Sequence, residues 1–209
     1  MTLGTGTTGV HRIVEIHAAM RGDDIALVGR EHTLTYRELN QRGNALARHF
    51  IRRGFRRGSP ATVTMDACPD LAVVLLAVLK AGGSYTWLDR SQRSGGPCGI
   101  SFDQEGVERG GQQHVAIDLR EALAASARPA ANLPIVTRPT DIACVLPQRN
   151  GLPGVRVPHA AITAIEAHPR RQPVGWSSEP GALDMWRPLM AGMSVMLTTV
   201  PKTGVAAAA

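Results

Sequence analysis

The chain has 209 residues, 44% of them hydrophobic, and a formal net charge of +6 with a pI near 10.0; this fits one ordinary domain, or one and a half, around a sizeable core. Lys80 and Lys202 are the only lysines and aromatics make up 4%, so the positive balance is an arginine balance without a base-stacking platform, which argues against a nucleic-acid partner. The longest apolar run, 71–79, is too short to span a bilayer, which argues against a membrane partner.

Residues 1–9 are Gly and Thr apart from Met1 and Leu3, a composition expected to be disordered. Val10, Ile13, Val14 and His17 recur at helical spacing over 10–20. A short strand over 25–29, a turn over 29–32 and a second short strand follow. Thr35 and Glu38 form a capping box, Thr at the N-cap and Glu at N3. The helix it opens is expected to turn Leu39, Leu46, Phe50 and Ile51 inward and to stop at Gly54. Its end carries Arg52, Arg53, Arg56 and Arg57, a run read as a solvated helix end opposing the negative pole of the dipole.

A strand over 61–65 leads to Pro69-Asp70, which starts a helix through Lys80 closed by Gly82-Gly83. Residues 84–88 are a strand. The stretch 90–113, rich in Gly, Ser, Gln and Arg, reads as a long loop or insert. Then come a strand over 114–119, a helix over 120–127, a linker over 128–134 and a buried strand over 142–146. A helix over 159–168, a Pro-, Ser- and Gly-rich stretch over 169–181, a short helix within 182–192 and a strand over 194–200 complete the fold, with 201–209 as a tail. The alternation predicts an α/β domain over 10–200 whose mostly parallel sheet is flanked by helices.

Several apparent motifs lack their physical context. Gly4, Gly6 and Gly9 spell G-x-G-x-x-G, but only three residues precede Gly4, so no strand feeds the turn. No G-x-x-x-x-G-K-[ST] phosphate loop and no G-x-S-x-G nucleophile elbow occurs. His11 and His17 lie six apart, the wrong spacing for two ligands on one helix face; the remaining histidines read as surface or capping groups. Cys68, Cys98 and Cys144 form no C-x-x-C pair, and the N-terminus has neither a basic start nor an apolar stretch. A reduced, cytoplasmic protein without metal is expected.

Four pieces, in order, resemble one family. LTYRELN (34–40), LKAGGSYTWLD (79–89), VLPQRNGLPGVRVPH (145–159) and SSEPGALDMWRPLMAGMSVML (177–197) are similar to successive motifs of adenylate-forming enzymes, closest to the adenylation domains of nonribosomal peptide synthetases. The first two are a capped helix and a helix–Gly–strand joint, and they carry fold rather than chemistry.

The third has the family form Y-T-S-G-S/T-T-G-x-P-K-G-V-x-V-x-H, whose hydroxyls, backbone N–H groups and Lys hold the phosphates of ATP. Here Gly151, Pro153, Gly154, Arg156 and His159 align. The residue at the Lys position is missing, and the hydroxyl-rich half has shrunk to Pro147, Gln148, Arg149 and Asn150. The resemblance thus implies a phosphate-loop remnant of Arg149, Asn150, Gly151, Pro153, Gly154, Arg156 and His159. In the fourth piece Glu179 stands at the position that binds the substrate's ammonium group. It also suits a helix N-terminus through the dipole. Asp184 stands where the family has Glu, and Ser178 replaces its Phe.

Neither the family's Y-G-x-T-E motif nor its T-G-D motif occurs, and the family domain is longer than this chain. The resemblance therefore implies a truncated, degenerate adenylation-like domain with no catalytic residue assigned and no cofactor, ATP and magnesium entering only if activity is retained. Its expected role is a structural or protein-interaction element of peptide biosynthesis, partnered by a neighbouring synthetase domain or by self-association. Two alternatives stay open: a half-domain completed in trans, with Arg149 or Arg156 serving the phosphates, and an amine-binding module built on Glu179.

Overall fold

The computed structural model describes residues 9–88, 99–104, 113–134, 137–148, 153–164, 174–175 and 183–197. In chain order the elements are α1 (Val10–Met20), β1 (Ile25–Val28), β2 (Thr33–Thr35), α2 (Tyr36–Arg52), β3 (Pro60–Thr64), α3 (Pro69–Lys80), β4 (Ser84–Leu88) and β5 (Gly99–Gln104). They continue with β6 (Gln113–Asp118), α4 (Leu119–Ser126), β7 (Ile142–Leu146), β8 (Val155–Pro158), α5 (His159–Thr163), β9 (Val174–Gly175), α6 (Leu183–Met190) and β10 (Val195–Met196).

The apolar run 71–79 makes α3 hydrophobic on every side, and such a helix must be covered all round. Every residue from Leu71 to Lys80 is buried, with α1, α2 and β4 packed on it. Pro69 starts α3 at a position where its missing N–H costs nothing. The capping box closes as expected: Thr35 Oγ1 accepts from Glu38 N–H at 3.2 Å, and the Glu38 carboxylate accepts from Thr35 N–H at 2.9 Å. Leu39, Leu46 and Phe50 of α2 are buried, as expected, together with Tyr36. Ile51 is 38% exposed, because one residue beyond Phe50 the helix has turned about 100° away from that stripe.

The basic run at the end of α2 is spent locally. Arg56 donates to the carbonyls of Ile51 and Phe55, Arg57 pairs with Asp141 at 2.8 Å, and Arg53 reaches Glu121 at 3.9 Å. The linker 128–134 lies against the same helix, where Asn132 Oδ1 accepts from Asn40 and Asn44 at 2.8 and 2.9 Å.

Two sheets form, ordered β6-β5-β3-β4-β7-β8 and β2-β1-β10-β9. The α/β class with flanking helices is as expected, but the pairing is mixed rather than mostly parallel. Strands β3, β4 and β7 are parallel in one sheet and β1, β10 and β9 in the other. Antiparallel neighbours sit outside them: β5 on β3, β6 on β5, β8 on β7 and β2 on β1. Much of the difference lies in the stretch expected to be a loop over 90–113. Residues Gly99–Gln104 within it are strand β5, paired along their length with β6. The hairpin partner supplies pairing that the Gly- and Ser-rich composition conceals. Residues 90–98 and 105–112 of that stretch, the N-terminus through residue 8 and the tail from 198 lie outside the described residues, while Gln113 already begins β6.

Candidate functional site

In open α/β sheets, ligand crevices form beyond the carboxyl ends of parallel strands. Two features stand there. The first is the connection from β7 to β8, an antiparallel hairpin in which Val145 faces Arg156 and Leu146 faces Val155. This is the segment read as a phosphate-loop remnant. Arg149, Asn150 and Gly151 lie outside the described residues, as does Glu179.

The remaining residues of the set have distinct surroundings. Pro153 is exposed and Gly154 half-buried. A Cβ on Gly154 would stand 2.5 Å from Val145 Cγ1 and 3.0 Å from the Leu146 carbonyl oxygen; the strand re-enters the sheet too closely for any side chain. Arg156 is exposed on the edge strand and forms no ion pair among the described residues. His159 points the other way. It is wholly buried, its backbone N–H donates to the Asp141 carbonyl at 3.0 Å, and its Nδ1 accepts from Val10 N–H at 3.3 Å. The structure therefore separates the set: Arg156 faces solvent, while Gly154 and His159 are engaged with the fold.

The second feature is a cleft of about 180 Å³ lined by Arg30, Glu31 and His32 after β1, Cys68 and Asp70 after β3, and Leu197 after β10. Asp70 meets His32 Nε2 at 3.4 Å and Arg42 at 3.9 Å. Burial, with Asp70 and Asp66 adding to it, pushes the Cys68 thiol above its usual range. The thiol stays protonated at neutral pH, so the cleft offers charge and hydrogen bonding but no activated nucleophile. The sequence did not single out this cleft; only the fold brings the ends of β1, β3 and β10 together.

Two buried polar groups were likewise hidden. Lys80, fully buried, pairs with Glu15 of α1, which also receives Arg12 at 3.1 Å. Desolvation lowers the Lys80 ammonium to about 8, with Glu15 opposing the shift. Trp186 Nε1 donates to the Tyr85 hydroxyl at 2.8 Å across α6 and β4, and burial raises the Cys144 thiol on β7 to about 11. The histidines divide: His17 Nε2 lies 2.8 Å from the Met190 carbonyl at the end of α6, His32 faces Asp70, His49 faces Glu121, and His159, expected at the surface or as a cap, is a buried cap of α1. Among the described residues, no group of three or more His, Cys, Asp or Glu is placed to hold a metal ion. No helix among them is long and apolar enough to cross a membrane.

The family described as AMP-binding enzyme matches residues 14–96. Over 87 residues the chain is 45% identical to tyrocidine synthase 3 of Brevibacillus parabrevis, a match covering 42% of this chain and 1% of that protein. Over 80 residues it is 39% identical to gramicidin S synthase 1 of Brevibacillus brevis, covering 38% and 7%. In three dimensions it is similar to an artificially fused adenylation–PCP di-domain, NpsA-ThdA of Klebsiella oxytoca, with a TM-score of 0.72 at 18% identity over 92% of this chain and 40% of that one. It is also similar to the Klebsiella oxytoca NpsA N-terminal subdomain in complex with 3-hydroxybenzoyl-AMSN, with a TM-score of 0.73 at 16% identity over 97% and 58%. The chain thus spans a few per cent of these synthetases and about half of the solved structures.

Proposed function

We propose, for a chain whose residues 14–96 belong to the AMP-binding enzyme family and whose fold is that of the adenylation-domain N-terminal subdomain, a structural or protein-interaction role in nonribosomal peptide biosynthesis without amino-acid activation of its own. The observation that carries this reading is the β7–β8 connection, whose residues 147–154 read PQRNGLPG and hold no Lys, Ser or Thr. Adenylation requires a carboxylate to attack the α-phosphate of ATP while pyrophosphate leaves, a step that depends on charge neutralisation and hydrogen-bond donors aimed at the phosphates. A hairpin lacking hydroxyls and lysine supplies few of those donors. Lys80, one of the two lysines of the chain, is held inside by Glu15 and does not substitute for the missing one. The partner in this reading is a neighbouring synthetase domain.

ATP–pyrophosphate exchange across the proteinogenic amino acids tests it. The expected result is no exchange above a blank without protein. Exchange by the chain alone, saturating in one amino acid, overturns the reading.

Arg156 supports a second reading, since its guanidinium is exposed, without an ion partner among the described residues, and borne by the strand that leaves the loop. In that reading the chain is a half-domain completed by another chain, with Arg156 serving phosphate in place of Lys. Its signature is exchange that arises only on adding a synthetase partner and is lost in Arg156→Ala.

A further inference from the structure

We propose that His159 and His11 form an acid-released latch fastening the N-terminal helix α1 to the strand that leaves the candidate loop. The inference holds whether or not the loop binds nucleotide. It begins from a missing cap. The first N–H groups of a helix have no partner within it. The N-cap of α1 is Gly9, which has no side chain to offer. The N–H of Val10 is instead taken by His159 Nδ1 at 3.3 Å, from 149 positions along the chain. His159 is the first residue of α5 and follows β8 directly, so this bond ties α1 to the loop's exit strand.

The bond fixes the chemistry of the ring. A nitrogen that accepts carries no proton, so neutral His159 must hold its proton on Nε2. Protonating Nδ1 abolishes the bond and sets a positive charge against the positive pole of α1. His11 completes the device. Its ring meets that of His159 edge-on, centroids 5.8 Å apart and planes at 79°, and it is buried to 3% exposure. Neither His11 Nδ1 nor His159 Nε2 has a hydrogen-bond partner among the described residues. Gly9 is what lets the rings close over the helix end, since a Cβ there would lie 2.7 Å from His11 Cε1 and 3.5 Å from His159 Nδ1.

The charges around the pair come from several elements. His159 itself, then Lys80 of α3 and Arg12 of α1, disfavour a proton on His11, Glu15 is occupied by Lys80 and Arg12, and Asp141, just before β7, favours a proton on His159. Burial dominates, holding His11 at about 3 and His159 at about 4. Both rings are therefore neutral when docked, and each takes up a proton on exposure below its free pKa of about 6.5. Between pH 6.5 and 5.0 the open population rises by about fifteenfold per ring, or roughly 250-fold for both, since each free ring is already half protonated at pH 6.5.

The test uses the full 209-residue chain. Histidine-selective 15N NMR at pH 7.5 is expected to show His159 neutral with its proton on Nε2; a proton on Nδ1, or an imidazolium, overturns the proposal. Hydrogen exchange of the α1 amides, corrected for intrinsic rates, then compares pH 6.5 with 5.0. Wild type is expected to show the roughly 250-fold response. His159→Asn, whose amide stands in for Nδ1 and does not titrate, is expected to keep neutral-pH protection and respond about fifteenfold. His159→Gln, with its polar atoms one bond farther out, is expected to lose protection at both pH values. Equal pH responses of wild type and His159→Asn, or indistinguishable Asn and Gln variants, overturn the latch, and the wild-type tautomer decides the matter if neither variant folds.

Discussion

Lys80, in the last turn of α3, ends in an ammonium buried against the Glu15 carboxylate in the middle of α1. Both charges have left water, so their attraction largely offsets desolvation and the pair adds little net stability. Removing Lys80 is another matter, because Glu15 stays buried with only the partly exposed Arg12, at 3.1 Å, to oppose its charge. Lys80→Met is expected to lower unfolding free energy by about 3–5 kcal/mol. Glu15→Leu combined with Lys80→Met should recover most of that loss, since apolar groups of similar volume replace the pair without an orphaned charge. Urea titrations of the two variants provide the check. A double variant as unstable as the single one would show that the pair does more than cancel its own burial.

Gly154 and Arg156 were read from the sequence as parts of one loop remnant, and the structure gives them opposite sensitivities. A methyl group at 154 meets Val145 and the Leu146 carbonyl within 3.0 Å, so the β7–β8 hairpin must shift to admit it. Gly154→Ala is expected to cost about 1–3 kcal/mol. Arg156→Ala removes an exposed side chain and is expected to change stability by less than about 0.5 kcal/mol. Thermal unfolding of the two variants side by side checks this; a neutral Gly154→Ala would mean the hairpin re-enters the sheet more loosely than described.

Local rules were legible in the sequence where they acted alone. The capping box at Thr35 and Glu38, the Pro-started helix through Lys80 and the strand at 84–88 each depend on neighbours within a few positions, and each formed as read. What depended on distant partners was not legible. Residues 99–104 have a loop-like composition and become a strand because β3 and β6 lie on either side of them. His159 looks like the end of a loop motif, and its partners Val10 and His11 are some 150 positions away. Lys80 carried a signal in hindsight: a lone cation ending an apolar helix needs an anion nearby, but nothing in the spacing identified Glu15. The cleft beside Cys68 required three strand ends from both sheets to converge, which periodicity does not encode.

The capping box allows a small, clean measurement. Thr35 Oγ1 and the Glu38 carboxylate satisfy each other's backbone N–H groups at the exposed start of α2. Thr35→Ala is expected to cost about 1 kcal/mol. The hydrogen bond from Thr35 N–H also holds the Glu38 carboxyl below its usual pKa. A depressed carboxyl stabilises the fold above the unfolded pKa and loses that contribution as pH falls through the folded value. Thr35→Ala leaves that backbone bond but removes the bond from the Thr35 hydroxyl to the same carboxylate at 3.0 Å, which also lowers the carboxyl, so part of the cost of the substitution should be present at neutral pH and shrink in acid. A cost that stays constant down to pH 3 would mean the hydroxyl, rather than the reciprocal pair, carries the cap.

Acid should weaken the whole fold in a window that carboxylates do not explain. Glu38 and Asp141 have folded pKa values lowered from ordinary carboxyl values of 4.5 and 3.8, so their contributions fade only in stronger acid. His11 and His159 have folded values of about 3 and 4 against about 6.5 when unfolded. Between those limits the unfolded chain binds more protons than the folded one, so unfolding free energy falls as pH falls. His49, lowered chiefly by burial with Glu121 opposing, acts in the same direction. From pH 6.5 to 5.0 each of the two deeply buried rings is expected to remove about 1.6 kcal/mol. Urea midpoints at the two pH values measure the fall directly, and His159→Asn should reduce it by about one ring's share. A midpoint unchanged between pH 6.5 and 5.0 would place both rings in water and contradict the burial on which this expectation rests.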